Sequence, residues 1–171
     1  MPTQQSRCSG AHRVSTWPGF APISTASRHR TPALVPDAPR AQRGIIDTSV
    51  VIDLEQLEAT QLPLELAVSA ITMAELAAGP HATVDADERA RRQDRLQRAE
   101  AAFDPLPFDG EAARAYGRIY AAQSAAGRKA RGTRAVDLLI AAVACAAELP
   151  ICTRNPDDFQ HLQGLVHVVA V

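Results

Sequence analysis

Aromatic residues make up only 4% of this 171-residue chain, and cysteine occurs three times, as Cys8, Cys145 and Cys152. With so few aromatics, Ala, Leu, Val and Ile must fill the interior. No two cysteines form a CxxC pair and no histidine stands at metal-ligand spacing from one, which argues against a zinc site. Cys145 falls in an apolar helical run and Cys152 in an apolar strand, so both read as buried free thiols suited to a reducing cytoplasm. No run of the chain is long enough to cross a bilayer. The longest uncharged apolar stretch, Leu138 to Ala147, is ten residues, about half of what a membrane span needs. No internal repeat is visible, and the basic N-terminal region lacks the apolar segment of a secretory signal.

Charge is distributed unevenly. The formal net charge is -1, but residues 1–43 carry six arginines and a single acid, Asp37. That leaves 12 Lys and Arg against 18 Asp and Glu for the rest, a net of -6. The first 43 residues also hold six of the twelve prolines and no periodic apolar pattern, so they read as a disordered leader. Two readings stand for it: a targeting peptide, or a stretch upstream of the true start, for which Val35 is a candidate.

The pattern changes at Gly44. Apolar strands are expected at 44–46, 66–71, 106–108, 150–153 and 165–169, and helices at 50–57, 72–78, 85–103, 110–126, 136–148 and 156–162. Gly79-Pro80 forms a stop after the second helix. Strands alternating with helices call for an α/β domain with a small, mainly parallel central sheet flanked by helices. The near-continuous apolar character of the strands fits a sheet covered on both faces.

In such sheets ligands bind beyond the carboxyl ends of the strands, and acids recur there. Asp47 follows the first strand, Glu75 the second, Asp137 opens the most apolar helix, and Asp157 and Asp158 follow the strand 150–153. Each has a structural reading. Asp47 and Asp137 are good N-caps, Thr72 and Glu75 have the spacing of a capping box, and Asp158 suits a helix dipole. Four acids at four comparable junctions nevertheless repel one another unless a cation neutralises them or some hold protons. Carboxylates without Cys or His beside them suit Mg²⁺ or Mn²⁺.

Four segments carry a more specific signal, in order: Gly44-Ile-Ile-Asp47-Thr48-Ser49-Val50, Ser69-Ala-Ile-Thr72-Met-Ala-Glu75-Leu76, Arg134-Ala-Val-Asp137-Leu-Leu-Ile140-Ala141-Ala142, and Thr153-Arg-Asn155-Pro-Asp157-Asp158-Phe159. Together they resemble the PIN domain, and the compact length with the third and fourth segments resembles its VapC-type toxin branch. That resemblance implies a three-layer PIN fold over 44–171 and a Mg²⁺-dependent endoribonuclease, with Mn²⁺ as the alternative ion. It implies Asp47 and Asp137 as metal ligands, Glu75 as a third core acid and Asp158 as the fourth, with Asp157 and Asn155 as alternatives. A VapB-like antitoxin and a homodimer are its implied partners. Water attacking a phosphodiester in line needs no 2′-hydroxyl and no histidine pair, and none of the five histidines lies in a motif. Thr48, Ser49 and Thr153 are placed to orient carboxylates or bind phosphate, or to cap.

Two basic clusters remain. Arg89, Arg91, Arg92, Arg95 and Arg98 lie among acids and read as a solvated helix face. Arg128, Lys129, Arg131 and Arg134 lie in a Gly-punctuated loop before Asp137 and are candidate RNA phosphate contacts, because an acidic cleft alone repels RNA. Phe159 and Tyr120 read as core. Two other functions compete. A phosphatase of the haloacid dehalogenase type needs a second Asp two residues after the first, where Ser49 stands. A non-catalytic binding module of the same fold would be marked by loss of core acids, which this sequence retains.

Overall fold

The computed structural model describes residues 40–171. Four strands, β1 (Arg43–Ile46), β2 (Glu65–Ala67), β3 (Ile151–Thr153) and β4 (Val168–Ala170), form one sheet in the order β2-β1-β3-β4. Every pairing is parallel. Helices α1 (Thr48–Ile52), α2 (Ala70–Ala78), α3 (Ala86–Ala102), α4 (Gly110–Ala125) and α5 (Thr133–Ala146) connect and cover it. The leader assigned to residues 1–43 lies almost wholly outside the described residues.

Side chains alternate along a strand, and here that alternation divides the core in two. Ile45, Ala67 and Ile151 pack with Ala112, Ala115, Ile119, Leu138, Ile140 and Ala141 of α4 and α5. Their immediate neighbours Ile46, Val68 and Cys152 pack on the other face with Val50, Leu54, Leu76 and Leu96. The result is three layers, helix on sheet on helix, as expected. Alanines of α4 and α5 fill much of this core in place of the missing aromatics. Phe159, 1% exposed, is the largest fully buried side chain. Tyr120, expected in the core, is 48% exposed. Burial pushes the Cys152 thiol up to about 11, so it is an inert core group. Gly44 is required by space: a Cβ there would lie 2.7 Å from Pro63 Cγ. Among the described residues no helix is long and apolar enough to cross a membrane.

Several element boundaries depart from the expected ones, each for a local reason. The second strand ends at Ala67, not Ile71, because the Ser69 hydroxyl accepts the Thr72 amide at 3.0 Å and starts α2 at Ala70. The Thr72–Glu75 capping box is therefore not formed; Thr72 is inside the helix. Helix α5 begins at Thr133 rather than Val136, after Gly132 with φ +60°. Its first two residues, Thr133 and Arg134, are polar and exposed, so hydrophobic periodicity does not register them. The expected strand 106–108 contracts to one parallel bridge, Ser69 with Leu106. Residues 50–57 form α1 and a separate 3₁₀ turn, and 156–162 form two 3₁₀ turns. Leu165 and Val166 donate back to Leu162, which delays β4 to Val168.

Candidate active site

Asp47 leaves the carboxyl end of β1 and is 5% exposed. Its Oδ1 accepts from the Val50 amide at 3.0 Å and the Ser49 hydroxyl at 2.7 Å, and its Oδ2 from the buried Thr153 hydroxyl at 2.6 Å. It is thus the N-cap of α1, as one reading held, and at the same time a carboxylate locked by three donors. A carboxylate has roughly four acceptor positions, so one direction on Oδ2 remains open. Thr153, which ends the neighbouring strand β3, is fixed in turn by the Asn155 amide at 2.9 Å. All three flanking hydroxyls orient acids: Ser49 and Thr153 hold Asp47, and Thr48 donates to Glu75 Oε2 at 2.5 Å.

Glu75 lies in the second turn of α2, which β2 delivers to the same sheet edge. Asp137 lies in the second turn of α5, five residues beyond the N-cap Gly132. That position excludes the capping role, because amides there already have helical partners. Its carboxyl is pushed up to about 7, first by burial and then by the negative charges of Asp158, Glu75 and Asp47, against the opposing pull of Arg134. The structure thus brings Asp47, Glu75 and Asp158 within electrostatic reach of Asp137. Asp158 sits at the end of the turn Pro156–Asp158, with Arg134 Nε 4.0 Å from its Oδ1. Asp157 is occupied elsewhere: its carboxylate takes a hydrogen bond from Gln160 and its carbonyl one from Arg128. Asn155 uses its backbone amide on Thr153. Among the three open alternatives, Asp158 is the one whose charge reaches Asp137.

The basic loop is only partly at the site. Arg134 faces Asp158, and Arg128 donates to the Asp157 carbonyl at 2.9 Å while its guanidinium lies 3.1 Å from His161 Nδ1. Burial and the Arg128 charge lower the His161 pKa, against Asp158, so the imidazole is biased to its neutral form. His161 was not singled out in the sequence, since no local pattern links it to a loop 33 residues away. Lys129 and Arg131 line a shallow pocket with Arg128, Tyr120 and Ser124, beside the acids rather than among them.

The donors available to a cation are carboxylate oxygens. Among the described residues no three Asp, Glu, His or Cys side chains close into a ready-made cage. An open set fits Mg²⁺, which keeps several waters and binds through one or two carboxylates. It fits zinc poorly, since the expected tetrahedral N and S ligands are missing.

Similarity to known proteins accords with this geometry. The family model for the PIN domain matches residues 45–165, which span all four acids. The chain belongs to the PIN domain family. Within it, this PIN domain is similar to Ribonuclease VapC5 of Mycobacterium tuberculosis, with 38% identity over 128 residues covering 73% of this chain and 91% of that protein. It also resembles a solved VapBC-5 toxin–antitoxin structure from the same organism, with a TM-score of 0.65 and 36% identity over 76% of this chain and 98% of the other. VapBC2 from Rickettsia felis shares the fold alone, with a TM-score of 0.62 at 20% identity, covering 75% of this chain and 98% of that one.

Proposed function

We propose that this PIN-domain protein is the ribonuclease toxin of a VapBC-type toxin–antitoxin pair, hydrolysing RNA phosphodiester bonds with Mg²⁺, or Mn²⁺ in its place. The observation that carries the reading is the convergence of Asp47, Glu75, Asp137 and Asp158 from four separate elements at the carboxyl edge of a parallel sheet. Burial, and after it the negative charges of Asp158, Glu75 and Asp47, raise Asp137 to about 7. Repulsion of this kind costs stability unless a cation relieves it. When bound, the cation supplies activated water and neutralises phosphate charge.

The chain's own residues do the rest. Asp47, immobilised by Ser49, Val50 and Thr153, and Asp137 would hold the ion. Glu75, steadied by Thr48, orients the attacking water. Asp158 completes the negative field on the side facing Arg134. Arg128, Lys129, Arg131 and Arg134 draw the RNA backbone toward an otherwise repelling cleft. In-line attack by water breaks the P–O3′ bond and leaves a 5′-phosphate and a 3′-hydroxyl. A VapB-like antitoxin covering the acids, a homodimer and a cytoplasmic setting complete the proposal. The solved VapBC relatives support the first, and the free thiols Cys145 and Cys152 the last.

Purified protein is expected to cut single-stranded RNA with Mg²⁺ or Mn²⁺ and to lose this activity with excess chelator. Sequencing of the ends should return 5′-phosphates. Cleavage that survives chelator rules out the mechanism. Intact RNA under all metal conditions would favour a binding module on the same fold.

A further inference from the structure

Beside the acids, between α1, α2 and α3, lies a cleft of about 260 Å³. Thr48 and Glu75 form its end nearest the acids, Ile52 and Leu76 give it apolar surface, and Arg92 and Arg95 of α3 face into it. The arginines of α3 differ in their partners. Arg91 and Arg92 both bind Glu88, Arg92 also donates to the Gly79 carbonyl at 3.0 Å, and Arg98 pairs with Glu55 and Asp94. Arg89 donates to the Thr83 carbonyl. Arg95 is half-buried, also borders the neighbouring depression with Ile52 and Leu54, and among the described residues has neither an acid nor a hydrogen-bond partner. The sequence suggested one solvated basic face; the structure sets this arginine apart.

A partly desolvated guanidinium without an acceptor is costly, and its planar fork matches phosphate oxygens. Its location limits the choice of anion. Glu75, a proposed water-orienting acid, shares the same cleft. Elsewhere at the cluster, outside this cleft, Arg128 and Arg134 meet Asp157 and Asp158. A strand whose scissile phosphate lies over the acids can therefore meet Arg95 as well as Arg128 and Arg134, with the exposed Ile52 available to the face of a base.

We propose that Arg95 binds a backbone phosphate of the single-stranded RNA substrate, next to the scissile one, and that the α1–α3 cleft is one arm of the RNA path. This deepens the ribonuclease reading and rests on it. Arg95 is a positioning residue: it grips the substrate one nucleotide or more from the reacting atoms.

The test measures binding of a fluorescein-labelled, mixed-sequence single-stranded RNA to the full chain carrying Asp137→Asn, with and without Arg95→Ala, across a salt series. Arg95→Ala should weaken binding about fivefold and flatten the log K against log salt slope by about 0.7, the value for one lost phosphate contact on a single strand. Arg95→Lys should restore the slope, and Arg89→Ala on the same helix should leave both quantities unchanged. In the otherwise wild-type chain with Mg²⁺, Arg95→Ala should raise KM with kcat little altered. Unchanged affinity, slope and KM would overturn the proposal and assign the cleft to a protein partner's carboxylate instead. Should the unaltered chain fail to cut RNA with Mg²⁺, the ribonuclease reading itself has failed, an outcome visible before any Arg95 variant is compared.

Discussion

A carboxyl in the second turn of a helix has no free amide to cap, so the charge of Asp137 serves no helix-terminal purpose. Its raised pKa has a stability consequence. Folded, the group keeps its proton up to about 7; unfolded, it loses it near 3.8. Between those values the folded state binds more protons, so the metal-free protein must lose stability as pH rises through this window. The contribution is fully present below the lower value. Thermal midpoints of metal-free protein between pH 4 and 8 check this. The decline should be present in wild type and reduced in Asp137→Asn, and equal declines in both would assign it to other groups. Cation binding runs the opposite way, since it needs the ionised carboxylate. Mg²⁺ titrations near pH 6.5 in buffers of different ionisation enthalpy should therefore reveal proton release. Asp137→Asn should itself remain folded, melt without metal at or above the wild-type temperature, and show no measurable RNA cleavage. Full activity in that folded variant would remove Asp137 from the site.

Helices α2 and α5 show which elements are legible in a sequence and which are not. Both were visible as apolar, periodic segments, and their acids were visible too, Glu75 as an acid after a strand and Asp137 as the residue opening the most apolar helix. Their first turns were not, because a helix start is chosen by a cap and by backbone freedom rather than by hydrophobic period. Ser69 and Thr72 are both good caps three residues apart, and local pattern alone favoured the wrong one. The structure decides it by burying both side chains, with their hydroxyls 3.0 Å apart. At α5 the signal was Gly132, whose positive φ marks the turn. Contacts far apart in sequence were equally hidden: the Thr153 hydroxyl reaches Asp47 across 106 residues, and no spacing rule encodes that. The cap assignment yields a direct test. Ser69→Ala should destabilise the protein by about 1 kcal/mol in urea unfolding, the usual value of a side-chain cap. Glu75→Gln, which keeps the acceptor for Thr48 but removes a charge from the cluster, should leave metal-free stability unchanged or raised. Unchanged stability in Ser69→Ala would take the cap away from Ser69 and return it to Thr72.

For the molecule as a whole, the sheet was legible because consecutive apolar residues on each strand must find separate cores, and Ile45–Ile46 and Ile151–Cys152 do so. The boundary of the folded unit was less so. Composition put the change at Gly44, where the arginines and prolines give way to an apolar strand. The structure carries the fold three residues or more upstream. The Arg40 guanidinium donates to the Leu62 carbonyl, at 2.9 Å from Nε, and to the Ala59 carbonyl. Leu64 and Glu65 donate their amides to the carbonyls of Ala41 and Gln42, at 3.2 and 2.9 Å. These bonds fasten the entry to β1 onto the turn before β2, and neither Arg40 nor its acceptors belong to any motif. A hydrogen bond from a charged donor contributes about 1.5–3 kcal/mol when well shielded and less at a half-exposed site. A chain of residues 40–171 should therefore melt with the full chain and cut RNA at the same rate. A chain of residues 44–171 should melt several degrees lower, since about 1 kcal/mol shifts a domain of this size by roughly 2–4 °C. Its cleavage rate at low temperature should be unchanged, because the four acids and the hydroxyls that orient them all lie beyond residue 46. Equal melting of the two shortened chains would show that the Arg40 bonds contribute nothing. A lower midpoint for 40–171 than for the full chain would show that residues before Arg40 stabilise the domain, and that its edge lies upstream of Arg40.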